Sequence, residues 1–147
     1  MNSEEAFKKF FEDVTKDLRS DQVDKGLYSS GKSASSLNYE VRPDGGTQKG
    51  SAYFQQQITG RRPGKMPPVE DILAWIEFKG IQSDNPESFA WAVAKKIAKV
   101  GTDVNQGKRE GLDFIGIVAK NRDELMKNLK KGLVERIKTD IHLAGKR

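Results

Sequence analysis

Gly60-Arg61-Arg62-Pro63-Gly64-Lys65-Met66-Pro67-Pro68 runs directly into a helical pattern from Val69 to Gly80. Three prolines each lock φ and remove a backbone donor, so this stretch is excluded from the interior of a sheet and is expected to run as an extended, exposed connector. Its cations, Arg61, Arg62 and Lys65, then face water or a partner. The segment is either a phosphate cradle or a stiff contact arm. Spacing decides against the cradle: three residues separate Gly60 from Gly64, and Met66 stands where a magnesium-binding Ser or Thr is required.

Downstream of this connector, Pro68 suits a helix start, with Glu70 and Asp71 in the first turn. Val69, Ile72, Leu73 and Ile76 predict a buried stripe, widened by Trp75 and Phe78, and Gly80 ends the helix. A second central helix starts at Asn85-Pro86-Glu87, is expected to bury Phe89, Val93, Ile97 and Val100, and stops at Gly101. Thr102 to Gly111 is polar and loop-like. The apolar run Leu112 to Val118 fits a strand or a buried helical turn. Asn121 is expected to cap a last helix bearing Leu125, Leu129, Leu133 and Ile137, with residues 142–147 frayed.

Upstream, Ser3 is expected to cap a helix reaching about Asp24, with Phe7, Phe10, Phe11, Val14 and Leu18 as its apolar stripe and Gly26 as its stop. Leu37, Tyr39 and Val41 then alternate with polar residues as in a half-buried strand. Pro43-Asp44-Gly45-Gly46 predicts a turn onto a return strand from Thr47 to Phe54, with glycine accepting positive φ. The expected fold is α+β: an N-terminal helix, an antiparallel hairpin packed by two central helices, and a C-terminal helix, in one domain over residues 1–147.

The composition narrows the function. With 147 residues, 32% of them charged and a net charge of +5, the chain carries no apolar run of membrane-spanning length. It has no cysteine and one histidine, His142, so neither a thiolate zinc site nor a Ser/His triad can be assembled. Paired carboxylates sit at helix starts, where the helix dipole accounts for them. No enzyme and no cofactor are expected. Charge alternates along the chain, with net −3 over residues 1–24, +5 over 25–65, −1 over 66–101 and +4 over 102–147. In a monomer such alternation reads as a set of solvated faces; in an oligomer it can make one face of a subunit complementary to the opposite face of the next.

From about Gly31 to Gly101 the order of parts resembles the tail-completion or head–tail joining proteins of tailed bacteriophages. The residues that carry the resemblance are the lead Gly31 to Leu37, a hairpin returning to Ala52-Tyr53-Phe54, the Pro-Gly-Lys-Met-Pro-Pro motif, Lys79-Gly80-Ile81, and Gly101-Thr102. The chain departs from the family's pattern in its polar, proline-free Asp103 to Glu110 and in Gln55-Gln56-Gln57. The resemblance implies a structural virion protein in the neck or tail, made in the host cytoplasm. It would form a ring with copies of itself, contact portal, adaptor or tail proteins, and let DNA pass without sequence-specific binding. Arg61, Arg62, Pro63, Lys65, Pro67, Lys108 and Arg109 are the expected partner contacts. The alternative is a small basic protein that binds nucleic acid non-specifically.

Overall fold

The fold follows from a few local signals that can be traced element by element in a computed structural model, which describes residues 1–27 and 35–146. The lead Gly31 to Ala34 lies outside the described residues. Helix α1 spans Ser3–Asp24; strands β1, Asn38–Arg42, and β2, Gly45–Lys49, form one antiparallel hairpin; helices α2, Ala52–Thr59, α3, Val69–Lys79, α4, Pro86–Val100, and α5, Phe114–Ala144, follow. Among the described residues this is an α+β chain with N- and C-terminal helices, as expected. Its contacts group into two compact units, Met1–Leu18 with Asn38–Lys49 and Phe114–Arg147, and Arg19–Leu37 with Gly50–Asp113.

In the first unit, α1 begins at Ser3, and its cap lies one residue earlier than expected. Asn2, not Ser3, caps it: the Asn2 amide donates to Glu5 Oε2 at 2.9 Å and the Glu5 amide donates to Asn2 Oδ1 at 2.8 Å. This reciprocal pair satisfies two end donors at once. The hairpin turns at Pro43-Asp44, with Arg42 opposite Gly45. The return strand therefore starts at Gly45, two residues before the expected Thr47, and neither Gly45 nor Gly46 takes positive φ. Gly46 serves clearance instead, since a Cβ there would lie 2.3 Å from the Phe11 ring. Phe11 stacks on Tyr39 at 6.0 Å between ring centroids, and the Tyr39 hydroxyl donates to Glu12 at 3.2 Å.

Helix α5 runs unbroken for 31 residues and absorbs the apolar run at 114–118. Asn121 is consequently interior to the helix and caps nothing. Its amide donates to Asp17 Oδ2 at 2.9 Å and to the Ile117 carbonyl at 3.0 Å, while Lys120 lies 3.4 Å from the same carboxylate. The Asn121 hydrogen bond is the main reason that the Asp17 carboxyl is held below its usual range. Residues 142–144 belong to this helix.

In the second unit, Ala52-Tyr53-Phe54 opens helix α2, so the expected return strand ends at Lys49. Helices α3 and α4 pack on each other. Ile76 is buried in α3, but the expected widening fails, with Trp75 36% and Phe78 49% exposed. In α4 the fully buried residues are Ala90 and Ala94, while Phe89 and Val100 stay exposed. The buried line of α4 thus runs through small side chains rather than through the bulky residues expected to carry it. Gly80, at φ 66° and ψ 28°, closes α3, with the Ile81 amide donating to the Ile76 carbonyl at 3.1 Å. Asn85 caps α4 by accepting from the Ser88 amide at 3.1 Å.

The polar segment after α4 is laced rather than loose. The Gln106 amide donates to the Thr102 carbonyl at 3.0 Å, the Lys108 amide to the Asp103 carbonyl at 2.9 Å, and the Leu112 amide to the Gln57 carbonyl at 2.7 Å. Its start is tied to the connector by a reciprocal pair. The Arg61 amide donates to Thr102 Oγ1 at 2.9 Å, and the Thr102 amide donates to the Arg61 carbonyl at 3.0 Å. Gly60 and Gly101 both hold positive φ at this clasp, and a Cβ on Gly60 would lie 2.3 Å from the Asn105 amide nitrogen.

Three outcomes follow from this packing. Gly46→Ala forces a Cβ into the Phe11 ring and should cost about 1–3 kcal/mol in urea unfolding, the range for overpacking. Thr102→Val strands the Arg61 amide and should cost about 1–3 kcal/mol, whereas Thr102→Ser keeps the acceptor and stays close to wild type. Because the folded Asp17 carboxyl titrates below its unfolded value, its contribution is complete above the unfolded value and is lost as pH falls through the folded one. Replacing Asn121 by Leu should raise the Asp17 pKa, read by carbon-detected NMR titration, and shrink that acid-side loss.

Candidate functional site

The clasp determines where the cations of the connector stand. Beyond Arg61, the Gly64 amide donates to the Ala98 carbonyl at 2.8 Å, occupying one of the acceptors that the last turn of α4 leaves without an intrahelical partner. Pro67 is buried, which corrects the picture of a connector exposed throughout. Between these anchors Arg62, Pro63, Gly64 and Lys65 are exposed, and Arg61 is half-buried with its guanidinium donating to the Lys65 carbonyl at 3.3 Å. The result is a short cationic arch over the negative end of the α4 dipole, where positive charge is favoured.

Arg61, Lys65 and Pro67 share one groove of about 570 Å³ with Tyr53 and Trp91. Both aromatic rings are open to solvent, Tyr53 at 47% and Trp91 at 43% exposure. The Tyr53 hydroxyl donates to the Asp71 carboxylate, and this bond chiefly raises the phenol above its usual range. The phenol therefore stays neutral at physiological pH, leaving Arg61, Lys65 and the lining Glu70 as the charges of the groove. Its chemistry suits binding of an anionic or aromatic group, through cations and ring faces.

Lys108 and Arg109 stand elsewhere in the same unit. Both are exposed; the Arg109 guanidinium donates to the Lys25 carbonyl, and Lys25 Nζ donates to the Gly111 carbonyl at 2.9 Å. Arg109 lines a second groove of about 660 Å³ together with Asp71, Trp75, Lys96 and Asp103. Lys108 lines neither groove. Of the expected contacts, Arg61, Lys65 and Pro67 line the first groove and Arg109 the second, and the two grooves share Tyr53 and Gln56.

Sequence reasoning missed the residues that hold this surface in place. Gln22, fully buried, donates to Gln57 Oε1 at 2.6 Å, and the Gln57 amide donates to the Leu27 carbonyl at 3.1 Å. Gln57 belongs to the Gln55-Gln56-Gln57 run; a neutral amide fits here because it both accepts and donates. Thr102 was visible only as half of a Gly-Thr pair. A β-branched hydroxyl directly after a helix-ending glycine was the available signal for a cap. Among the described residues no cluster of three metal-ligating side chains occurs, and no helix is long and apolar enough to cross a membrane. No protein-family model matches the chain, no curated protein matches it, and no solved structure matches it.

Proposed function

We propose that this chain is a structural subunit of an oligomeric ring that joins the head of a tailed bacteriophage to its tail and continues the DNA channel. The observation that carries the reading is the anchored arch: Arg62, Pro63 and Lys65 are presented to solvent by a backbone fixed through Thr102, Ala98 and the buried Pro67. A contact element that is already ordered loses little conformational entropy on assembly, which suits a protein whose work is docking. The order of motifs in the connector, Lys79-Gly80-Ile81 and Gly101-Thr102 adds the resemblance to head–tail joining proteins. The cations then meet an acidic surface of a neighbour. A ring through which DNA must move gains nothing from gripping phosphate tightly.

A second reading has its own observation. Tyr53 and Trp91 beside Arg61 and Lys65 combine ring faces with positive charge, the arrangement used to stack bases and neutralise phosphates of single strands. The two readings differ in salt response. Phosphate binding must weaken linearly in log–log form with salt, by about 0.7 per neutralised phosphate for a single strand.

Co-expression with the portal and tail proteins encoded alongside it, followed by negative-stain imaging, tests the proposal. Rings or decorated portals are expected; a chain that joins no ring or particle overturns it. The paired substitution Arg62→Glu with Lys65→Glu should lower incorporation at least tenfold with an unchanged circular dichroism spectrum. Retained incorporation together with lost, salt-sensitive binding of a single-stranded oligonucleotide would favour the second reading.

A further inference from the structure

Helix α5 carries an apolar stripe that its own unit does not cover. Met126, Leu133, Val134, Ile137 and Ile141 fall within an arc of about 100° at 3.6 residues per turn, and they are 46%, 59%, 49%, 47% and 66% exposed. Large apolar patches of this kind on a soluble chain mark interaction surfaces. Lys127, Lys130, Lys131 and Lys138 border or interrupt the stripe, and residues 126–144 carry five basic against two acidic side chains, net +3. Two such helices laid together would set like charges along one seam. The stripe therefore calls for an acidic partner with an apolar centre.

The chain itself offers that surface on α3. Ala74 and Trp75 are exposed there among Glu70, Asp71 and Glu77, all three also exposed, and residues 69–79 are net −2. The eleven residues of α3 extend about 16 Å at 1.5 Å per residue, enough to cover Leu133 to Ile141, about 12 Å, while the full stripe from Met126 runs about 22 Å and overhangs that face. Resting on the assembly reading above, we infer that the α5 stripe of one copy docks on the α3 face of a second copy. The contact is heterologous, joining two different surfaces. Each subunit then keeps one free α5 and one free α3, and head-to-tail addition continues until a ring closes.

Complementary variants test this by sedimentation velocity. Ile137→Asp with Ile141→Asp removes the stripe, and Glu70→Lys with Glu77→Lys inverts the α3 border; all four positions are exposed or helix-surface sites, so folding is checked by circular dichroism alone. Each double variant should raise the concentration needed for self-assembly at least tenfold. Mixed in equal amounts, the two should form a complex of two chains and nothing larger, because only one productive interface is left. Lys131→Glu and Lys138→Glu added to the α3 variant should restore assembly to within tenfold of wild type. Self-pairing of the α3 variant through its intact α5, absence of the mixed pair, or wild-type assembly by both variants would overturn the inference. Those results leave the ring reading standing. A wild-type chain that stays monomeric alone and joins no particle on co-expression sinks both.

Discussion

Two hydrogen bonds exchanged between Arg61 and Thr102 carry the organisation of the second unit. The amide of each residue is satisfied by the other, one through a hydroxyl and one through a carbonyl. They join the exit of α2 to the exit of α4, two helix ends that lie far apart in sequence. Once they are joined, the Gly64 amide reaches the Ala98 carbonyl, and the segment from Thr102 can wind through its own turns to bring the Leu112 amide to Gln57. Gly60 and Gly101 are needed at this point because both backbones adopt positive φ where they pass each other. A side chain at either site would strain the backbone and crowd the opposite strand of the clasp.

This constraint links fold to function. A proline-rich cationic segment free in solution would lose entropy on docking, and its charges would be smeared over many conformers. Held by the clasp, it presents Arg62 and Lys65 from a fixed arch at the negative pole of α4. The exposed α5 stripe adds apolar area without direction, while the arch adds direction without much area. The proposed assembly role calls for both, since burial supplies affinity and charge placement selects the partner and the register.

The parts of this structure that were legible in sequence are those set by neighbours a few residues away. Gly80 and Asn85 bound the central helices where capping chemistry put them, and Pro43-Asp44 turns the hairpin. Longer-range partners decided the rest. Ala52 to Phe54 has aromatic, strand-like content, yet it forms a helix whose later carbonyl at Gln57 is claimed by Leu112. Asn121 looks like a cap in isolation, but its acceptor Asp17 is 104 positions away. The fully buried residues of α4 are Ala90 and Ala94, which a search for bulky periodic residues cannot register. In the candidate site, the charges of Arg61, Arg62 and Lys65 were readable, whereas the burial of Pro67 and the placement of Lys108 and Arg109 depend on tertiary anchors.

The central claim is that the arch is formed before any partner binds. Amide hydrogen exchange on the isolated chain, read at Arg61, Gly64 and Thr102, tests it most directly. The account predicts that these three amides are protected to a degree comparable with the interior of α4, because each donates within the clasp or to the end of that helix. Exchange at the rate of an unstructured peptide, with α4 itself protected, would contradict it and show that the connector orders only on contact.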